Sequence, residues 1–534
     1  MEFSSIIMKF INQEILGMKT ICTLKNMLER NLEYNPQNTA FIEGNRQYTF
    51  QEFWDRTNKM GNALLDLGLK KGDRVAILSH NSIENAESYF SIPDAGLVLV
   101  MLNFRLAPME ILTILADSDA SVLMVNEKYL GYIDEIKDKL SFVKHFIFIG
   151  EKTKTPEGWY HYEEMIENSP KHTPAGEITE DDLAALIYTS GTTGAPKGCM
   201  ATHRNLYHSG RSVNIEIGAD ENDVGIIPSP LFHATGISCI MPNIYSGITS
   251  IIMPQWDVEE FLQLVEKHKV TRGMIATPML LFLVDYPDVK KYDVSSLKHV
   301  FFAGAPVTPV IYKKAIQIFG NVFIHLFGTT ETVGLTTILT TKDIANALDS
   351  GDDEIFSSCG RSSADMQSVV VDENDNIVSP GVVGEIKVRG LGTTLGYWNK
   401  EDATKEVYRN GWYYPLDLCK LDKEGFIHVV DRKKDMIITG GENVYPAEIE
   451  NVLYKHPAVA QAAVIGLEDR KWGEIVTAIV VKKEGTTVTE DEIRTFCRKE
   501  IAGFKVPKKV MFLKNLPMSA SGKILKFKLR DQFV

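Results

Sequence analysis

The sequence predicts an α/β protein built in parts. A long β/α layered region leads into a strand-rich stretch, and a short α+β segment closes the chain. Three observations carry this reading. Through roughly the first two thirds of the chain, short β-branched apolar runs alternate with amphipathic stretches, the pattern of strands packed against helices. Near residue 365 the texture becomes strand-rich with tight turn signals, and beyond residues 431–436 it becomes a short mixture of helix and strand. At 534 residues the chain is also too long for one core, so roughly two to four domains are expected.

The elements follow in order. Arg74–His80 (RVAILSH) reads as a buried strand, Ser82–Gly96 as a helix, and Leu97–Asn103 as the next strand. Ser121–Asn126, Phe146–Gly150, Gly225–Ser229, Ser250–Pro254 and His299–Gly304 read as further strands, with helices at Val258–Lys269 and Val310–Gly320. Ser368–Gly390 holds a DENDN turn signal between two alternating runs, which predicts a hairpin. The last region reads as a helix from Pro446, strands AAVIG and EIVTAIVVKK, a helix Glu490–Lys499 and then a tail. No repeat or low-complexity tract interrupts the chain.

Composition narrows the class. At 44% hydrophobic and 24% charged residues this is an ordinary globular composition. The formal net charge of −13 argues against a general nucleic-acid partner. The six cysteines are scattered without a CxxC pair, so neither a disulfide framework nor a zinc site is indicated and a cytoplasmic location is expected. No apolar run is long enough to span a bilayer. Residues 1–17 lack a basic n-region and read as an extension, with Met8 and Met18 as alternative starts; a peripheral membrane contact through a short amphipathic helix is the competing reading.

The densest chemistry lies in Thr189–Gly198 (TSGTTGAPKG), which packs four hydroxyl side chains, three glycines and one lysine into ten residues. Read alone, that composition is a flexible surface turn. Directly behind the apolar run Leu183–Tyr188 it reads as a loop that holds a polyphosphate with backbone N–H groups, hydroxyls and one cation. It is not the Walker pattern, because Pro196 precedes Lys197 and no Ser or Thr follows it.

YTSGTTGAPKG resembles the signature loop of the adenylate-forming superfamily, which contains acyl-CoA synthetases, adenylation domains of peptide synthetases and beetle luciferases. Further motifs follow in that family's order, and the resemblance runs over roughly residues 20–534. It implies that Thr189, Ser190, Gly191, Thr192, Thr193, Gly194 and Lys197 hold the phosphates of ATP. Gly304, Ala305 and Pro306 match the adenine and acyl-pocket turn. In HLFGTTETVG, Phe327 takes the adenine-stacking place where the family usually has Tyr, followed by Gly328, Thr329 and Thr330. Glu331 takes the magnesium role with Thr193. Asp417 and Arg432 match the ribose clamp, although Pro415-Leu416 replaces the family's Thr-Gly. Lys434 matches the hinge, Gly440 and Gly441 the stretch lining the pantetheine arm of coenzyme A, and His233 the acid pocket. Lys523, in a Ser-Gly-Lys motif, matches the catalytic lysine.

The resemblance implies an N-terminal adenylation domain over residues 18–433, made of two β/α layered subdomains plus a small β-barrel-like subdomain, and a small mobile α+β C-terminal domain over 434–534, turning at 434. It implies an AMP-forming acid–CoA ligase that uses ATP, Mg²⁺ and coenzyme A on an apolar fatty, medium-chain, cyclic or aromatic acid, with Lys523, Thr193, Glu331 and His233 as the catalytic set. Two readings compete. A stand-alone adenylation enzyme would load a carrier protein, against which no carrier domain follows Val534. A non-catalytic nucleotide or acyl binder would account for Pro415-Leu416. Oligomeric state stays open, a homodimer included.

Overall fold

A computed structural model describes residues 22–189, 196–304, 307, 309–439, 442–518 and 524–533. Two large twisted sheets dominate. The first has nine strands in the order Arg361–Ser362, Thr337–Leu339, Phe323–Phe327, His299–Ala303, Arg272–Ala276, Val224–Ile227, Thr249–Ile252, Thr39–Glu43 and Arg46–Thr49. The second has seven: Tyr160–His161, His145–Ile149, Ala120–Asn126, Arg74–Leu78, Val98–Met101, Leu183–Thr189 and Lys197–Thr202. Neighbours in the middle of each sheet run parallel, so both faces need helical cover and the strands are apolar throughout rather than alternating.

The helices that provide this cover have clear starts. Phe50–Asp66 opens with a reciprocal capping box between Thr49 and Glu52, and Ile83–Asp94 with Ser82 accepting from the Asn85 N–H. His203–Ile217 and Ala234–Ser246 pack on one another, and the second is buried from Ala234 through Ile244. Its sequence, ATGISCIMPNIYS, has no polar face to give to water. Arg272 is buried beside this pair, donating to Asn243 Oδ1 at 3.2 Å, Asn214 Oδ1 at 2.8 Å and the Pro242 carbonyl at 3.0 Å. Neutral acceptors thus satisfy a cation that would otherwise be costly to bury.

The smaller sheets differ. A six-stranded antiparallel sheet is built on Gly384–Gly390, which pairs with Met366–Val371, Trp412–Tyr413 and Asp417–Leu421. The predicted hairpin is present, but DENDN closes only a small Val371–Ile377 bridge. The chain bends again at Gly381, whose N–H bonds the Leu421 carbonyl at 2.7 Å, before the second strand starts. The last sheet joins Glu442–Val444, Ile437–Thr439, Gly473–Lys482 and Val459–Asp469, with Lys509–Leu513 parallel to Gly473–Lys482. That final strand and the helix Lys526–Phe533 replace the featureless tail read from sequence. Elements this short show no usable periodicity and owe their form to packing, here the burial of Val510 and Leu529. The core residues of this last sheet all lie beyond residue 436, so it closes its own hydrophobic interior.

Among the described residues, no helix is long and apolar enough to cross a membrane. The first sheet is sewn to the six-stranded one at Gly360: the Cys359 N–H bonds the Ile427 carbonyl at 2.9 Å and the Ile427 N–H bonds the Gly360 carbonyl at 2.8 Å. Gly360 sits at φ +88°, and a Cβ there would lie 1.9 Å from the Ile338 oxygen. Gly360→Ala is expected to lower unfolding stability by about 2 kcal/mol or more, read from chemical denaturation.

Candidate active site

The stem of the phosphate loop is an antiparallel pair. Leu183–Thr189 faces Lys197–Thr202 with Thr189 opposite Lys197 and Tyr188 opposite Gly198. Gly198 has no room for a side chain, since a Cβ would sit 2.9 Å from the Tyr188 ring. Ser190, Gly191, Thr192, Thr193 and Gly194 lie outside the described residues, as do Ala305, Pro306, Gly440, Gly441 and Lys523. A strap formed by residues 395–398 docks along the stem. The Met200 N–H bonds the Gly396 carbonyl at 2.9 Å and the Trp398 N–H bonds the Gly198 carbonyl at 2.8 Å. Asp117 anchors both partners, accepting from the Tyr188 hydroxyl at 2.8 Å and from Lys400 at 2.7 Å.

Glu331 follows the strand Phe323–Phe327 in a single 3-10 turn, Thr330–Thr332. The turn is tightly specified. A Cβ on Gly328 would lie 2.6 Å from the Gly334 backbone, and Val333 and Gly334 take φ values of +51° and +85° to reverse the chain. The Thr329 hydroxyl donates to the Tyr413 hydroxyl at 3.2 Å, and the Glu331 carbonyl accepts the Thr394 N–H at 2.9 Å. Phe327 ends its strand half-buried, Thr329 and Thr330 are half-buried beside it, and Gly304 ends the neighbouring strand exposed, at φ +101°.

The Glu331 side chain is only 9% exposed, yet among the described residues no Lys or Arg forms a direct ion pair with it. Its partner is the Tyr397 hydroxyl on the strap, which donates to Oε1 at 2.6 Å. Lys197 lies over the face of the same ring, 5.1 Å from its centroid. Burial and then the Glu331 charge push the Tyr397 phenol well above its ordinary range, and the buried Cys199 thiol is raised by the same two causes. A buried carboxylate held by neutral donors has spare capacity for a cation. Among the described residues no cluster of three or more His, Cys, Asp or Glu could hold a metal by itself. One carboxylate complemented by substrate oxygens is the donor set that Mg²⁺ accepts, so the residues present fit it.

Asp417 and Arg432 face each other across the strands Asp417–Leu421 and Ile427–Arg432, with Arg432 Nε 2.7 Å from Asp417 Oδ1. The Asp417 side chain is 3% exposed and that of Arg432 42% exposed, so the pair joins a buried acceptor to a half-open cation. The Asp417 charge, more than burial opposes it, raises the Arg432 guanidinium. Leu416, at the place of the family's glycine, adopts φ +62°. Its backbone takes the left-handed form that glycine takes freely and leucine takes at a cost of roughly 1–2 kcal/mol. The Leu416 carbonyl accepts the Lys433 N–H at 2.8 Å and the Pro415 carbonyl accepts from Arg432 at 3.2 Å, which hold the corner in that form.

His233 is the N-cap of Ala234–Ser246: its Nδ1 accepts the Thr235 N–H at 3.2 Å. The proton of the neutral ring is therefore on Nε2. His325 stacks on Phe302 at 4.7 Å with rings 1° from parallel and donates through Nδ1 to the Ser358 carbonyl at 3.1 Å. Burial pushes it down to about 4, so it is a neutral structural side chain. Lys434 is exposed at the turn between Ile427–Arg432 and Ile437–Thr439. The sequence reading missed Tyr397, Cys199 and Tyr413. Only the aromatic run around Tyr397-Trp398 and Trp412-Tyr413-Tyr414 hinted at them, and nothing in a single sequence ties those rings to Glu331.

The chain has extensive matches among known proteins. A family model described as AMP-binding enzyme matches residues 28–398, and one described as AMP-binding enzyme C-terminal domain matches residues 448–523. A feruloyl-CoA synthase of Amycolatopsis is 35% identical over 505 residues, covering 94% of this chain and 98% of the relative. A long-chain-fatty-acid–CoA ligase of Mycobacterium tuberculosis is 32% identical over 516 residues, covering 95% and 98%. Among solved structures, the o-succinylbenzoate CoA synthetase of Bacillus subtilis with its acyl-adenylate intermediate superposes with a TM-score of 0.83 at 29% identity, covering 95% of this chain and 98% of that one.

The capping role of His233 can be separated from any chemical one. His233→Asn keeps a good N-cap and is expected to leave stability within about 0.5 kcal/mol, whereas His233→Ala costs about 1 kcal/mol by denaturant titration. A loss of activity shared by both variants would then belong to the imidazole ring.

Proposed function

Given that this chain belongs to the AMP-binding enzyme family, we propose that it is an AMP-forming carboxylic acid–CoA ligase. In the first half-reaction a carboxylate oxygen attacks the α-phosphorus of ATP. The bond to the bridging oxygen of the β-phosphate breaks, and diphosphate leaves with that electron pair. In the second, the sulfur of coenzyme A attacks the acyl carbonyl, the thiol proton is lost and AMP leaves. The observation that carries the reading is Glu331, a buried carboxylate oriented by Tyr397 beside the stem of the phosphate loop. Mg²⁺, when bound, neutralises charge on the phosphates, and Glu331, with Thr193 by resemblance, would hold it.

The chain's own groups divide the work. Thr189 and Lys197 flank the loop that cradles phosphate. Phe327, at the end of its strand, offers a ring for adenine. Asp417, desolvated and aligned by Arg432, accepts ribose hydroxyls. Lys523, by resemblance, would serve the carboxylate and α-phosphate in the first half-reaction only. The acid is one with an apolar body, either a fatty chain or an aromatic ring. The relatives named for ferulate and for long-chain fatty acids support that class, as does the apolar helix that follows His233. Cytoplasmic location fits the six unpaired cysteines.

The domain boundary is proposed at Lys434, and its flanks support it. Lys433 is tied to the six-stranded sheet, through its N–H to Leu416 and through Nζ to Glu385 at 2.9 Å. Asp435 is tied to the final helix, where Arg530 reaches Oδ1 at 2.8 Å. One residue separates two anchored flanks, the arrangement that lets a hinge absorb a large backbone change without opening either core.

A panel of carboxylic acids assayed with ATP and coenzyme A, with mass detection of thioesters, tests the reading. Diphosphate release without thioester would favour a carrier protein as acceptor, and no release with any acid would leave a non-catalytic binder. Lys523→Ala is expected to slow acyl-AMP formation by ~10²–10³ while leaving conversion of supplied acyl-AMP and coenzyme A to thioester nearly intact. Tyr397→Phe, which removes the donor to Glu331, is expected to weaken Mg²⁺-dependent ATP binding by about tenfold in calorimetric titration.

A further inference from the structure

The helix Pro446–Tyr454 has no N-cap of its own: Tyr445 occupies the position and makes no side-chain bond there. The cap comes from the other side of Lys434. Asp431, on the strand Ile427–Arg432 of the six-stranded sheet, accepts the Ala447 N–H through Oδ2 at 2.8 Å. Its other oxygen accepts the N–H of Arg432 at 2.7 Å, which fixes the rotamer. Among the described residues, this is the side-chain hydrogen bond that crosses the proposed hinge. Asp431 is 7% exposed and shares its surroundings with Lys526, which is itself paired to Glu450 at 2.8 Å. Lys526 and Glu450 both belong to the C-terminal region, so the positive charge facing Asp431 would move with that region while Asp431 stays with the six-stranded sheet.

We propose that Asp431 is a positioning residue that selects between the two orientations of the C-terminal domain, and so sets the balance between the two half-reactions. The proposal rests on the ligase reading with Lys434 as hinge. In the present arrangement the carboxylate satisfies a helix-terminal N–H and complements the positive end of that helix. Turning at Lys434 carries Ala447 and Lys526 away and leaves both the N–H and the carboxylate to find water or other partners. The contact therefore stabilises one orientation only, and the half-reaction that needs the other must first break it.

The test uses the full-length enzyme and measures the half-reactions separately: diphosphate release with acid and ATP alone, and thioester formation from supplied acyl-AMP and coenzyme A. Asp431→Ala is expected to change the ratio of the two rates by roughly tenfold, one half-reaction falling while the other is unchanged or faster. Ala447→Pro removes the donor from the opposite side, at a helix position where proline is tolerated, and is expected to shift the ratio in the same direction. Asp431→Asn keeps an acceptor oxygen but loses the charge facing Lys526 and is expected to fall between. Equal loss of both half-reactions in Asp431→Ala and Ala447→Pro, or an unchanged ratio in either, overturns the proposal. Thermal unfolding of each variant shows whether it has folded, and the ratio is independent of the fraction that has. A wild-type enzyme that performs neither half-reaction refutes the ligase reading itself, before any variant is compared.

Discussion

The hydrogen bond from Tyr397 to Glu331 is the constraint on which the site depends. A carboxylate this deeply buried, with no direct ion pair among the described residues, must be held by neutral donors. Satisfying it requires three sheets to meet. The strand ending at Phe327 delivers the Glu331 turn, the stem Lys197–Thr202 receives the strap that carries Tyr397, and the six-stranded sheet supplies Tyr413 behind Thr329. The close approaches at Gly198, against its cross-strand partner Tyr188, and at Gly328, against the reversing backbone at Gly334, are local, and no side chain fits at either. The site is therefore a property of the junction between sheets.

Much of the architecture was legible because it depends on local pattern. Buried parallel strands such as Arg74–Leu78 and His299–Ala303 read as short apolar runs, and their helices announce themselves through caps and amphipathic spacing. The strand before the phosphate loop was legible as an apolar run, whereas the Glu331 segment was singled out only by its resemblance to the family motif. What could not be read were partners distant in sequence. Tyr397 is 66 residues from Glu331, and its role comes from the docking of one strap on one strand. The last strand, Lys509–Leu513, is set by its parallel register against Gly473–Lys482, which five residues cannot specify alone.

Two positions show how context alters a residue's meaning. Leu416 replaces a glycine of the family pattern but keeps the backbone conformation that a glycine would favour, its carbonyl accepting the Lys433 N–H while Arg432 bonds the neighbouring Pro415 carbonyl. The corner before Asp417 thus preserves its shape at a local energetic cost, and the substitution that cast suspicion on the ribose clamp leaves Asp417 opposite Arg432. His233 looked like a ligand-facing group, and its Nδ1 is occupied by the helix it caps. Any chemistry it performs must go through Nε2, which makes it a donor when neutral.

The separate interior of the final sheet has an energetic corollary. Because those apolar side chains are covered by one another, the turning proposed above would expose little oily surface to water and would be opposed chiefly by polar contacts such as the one at Asp431. Barriers of that kind are set by the lifetimes of individual bonds, and modest changes in charge near the pivot can retune them without loosening the scaffold. Evolution could thereby adjust the tempo of the catalytic cycle independently of the architecture that recognises the acid.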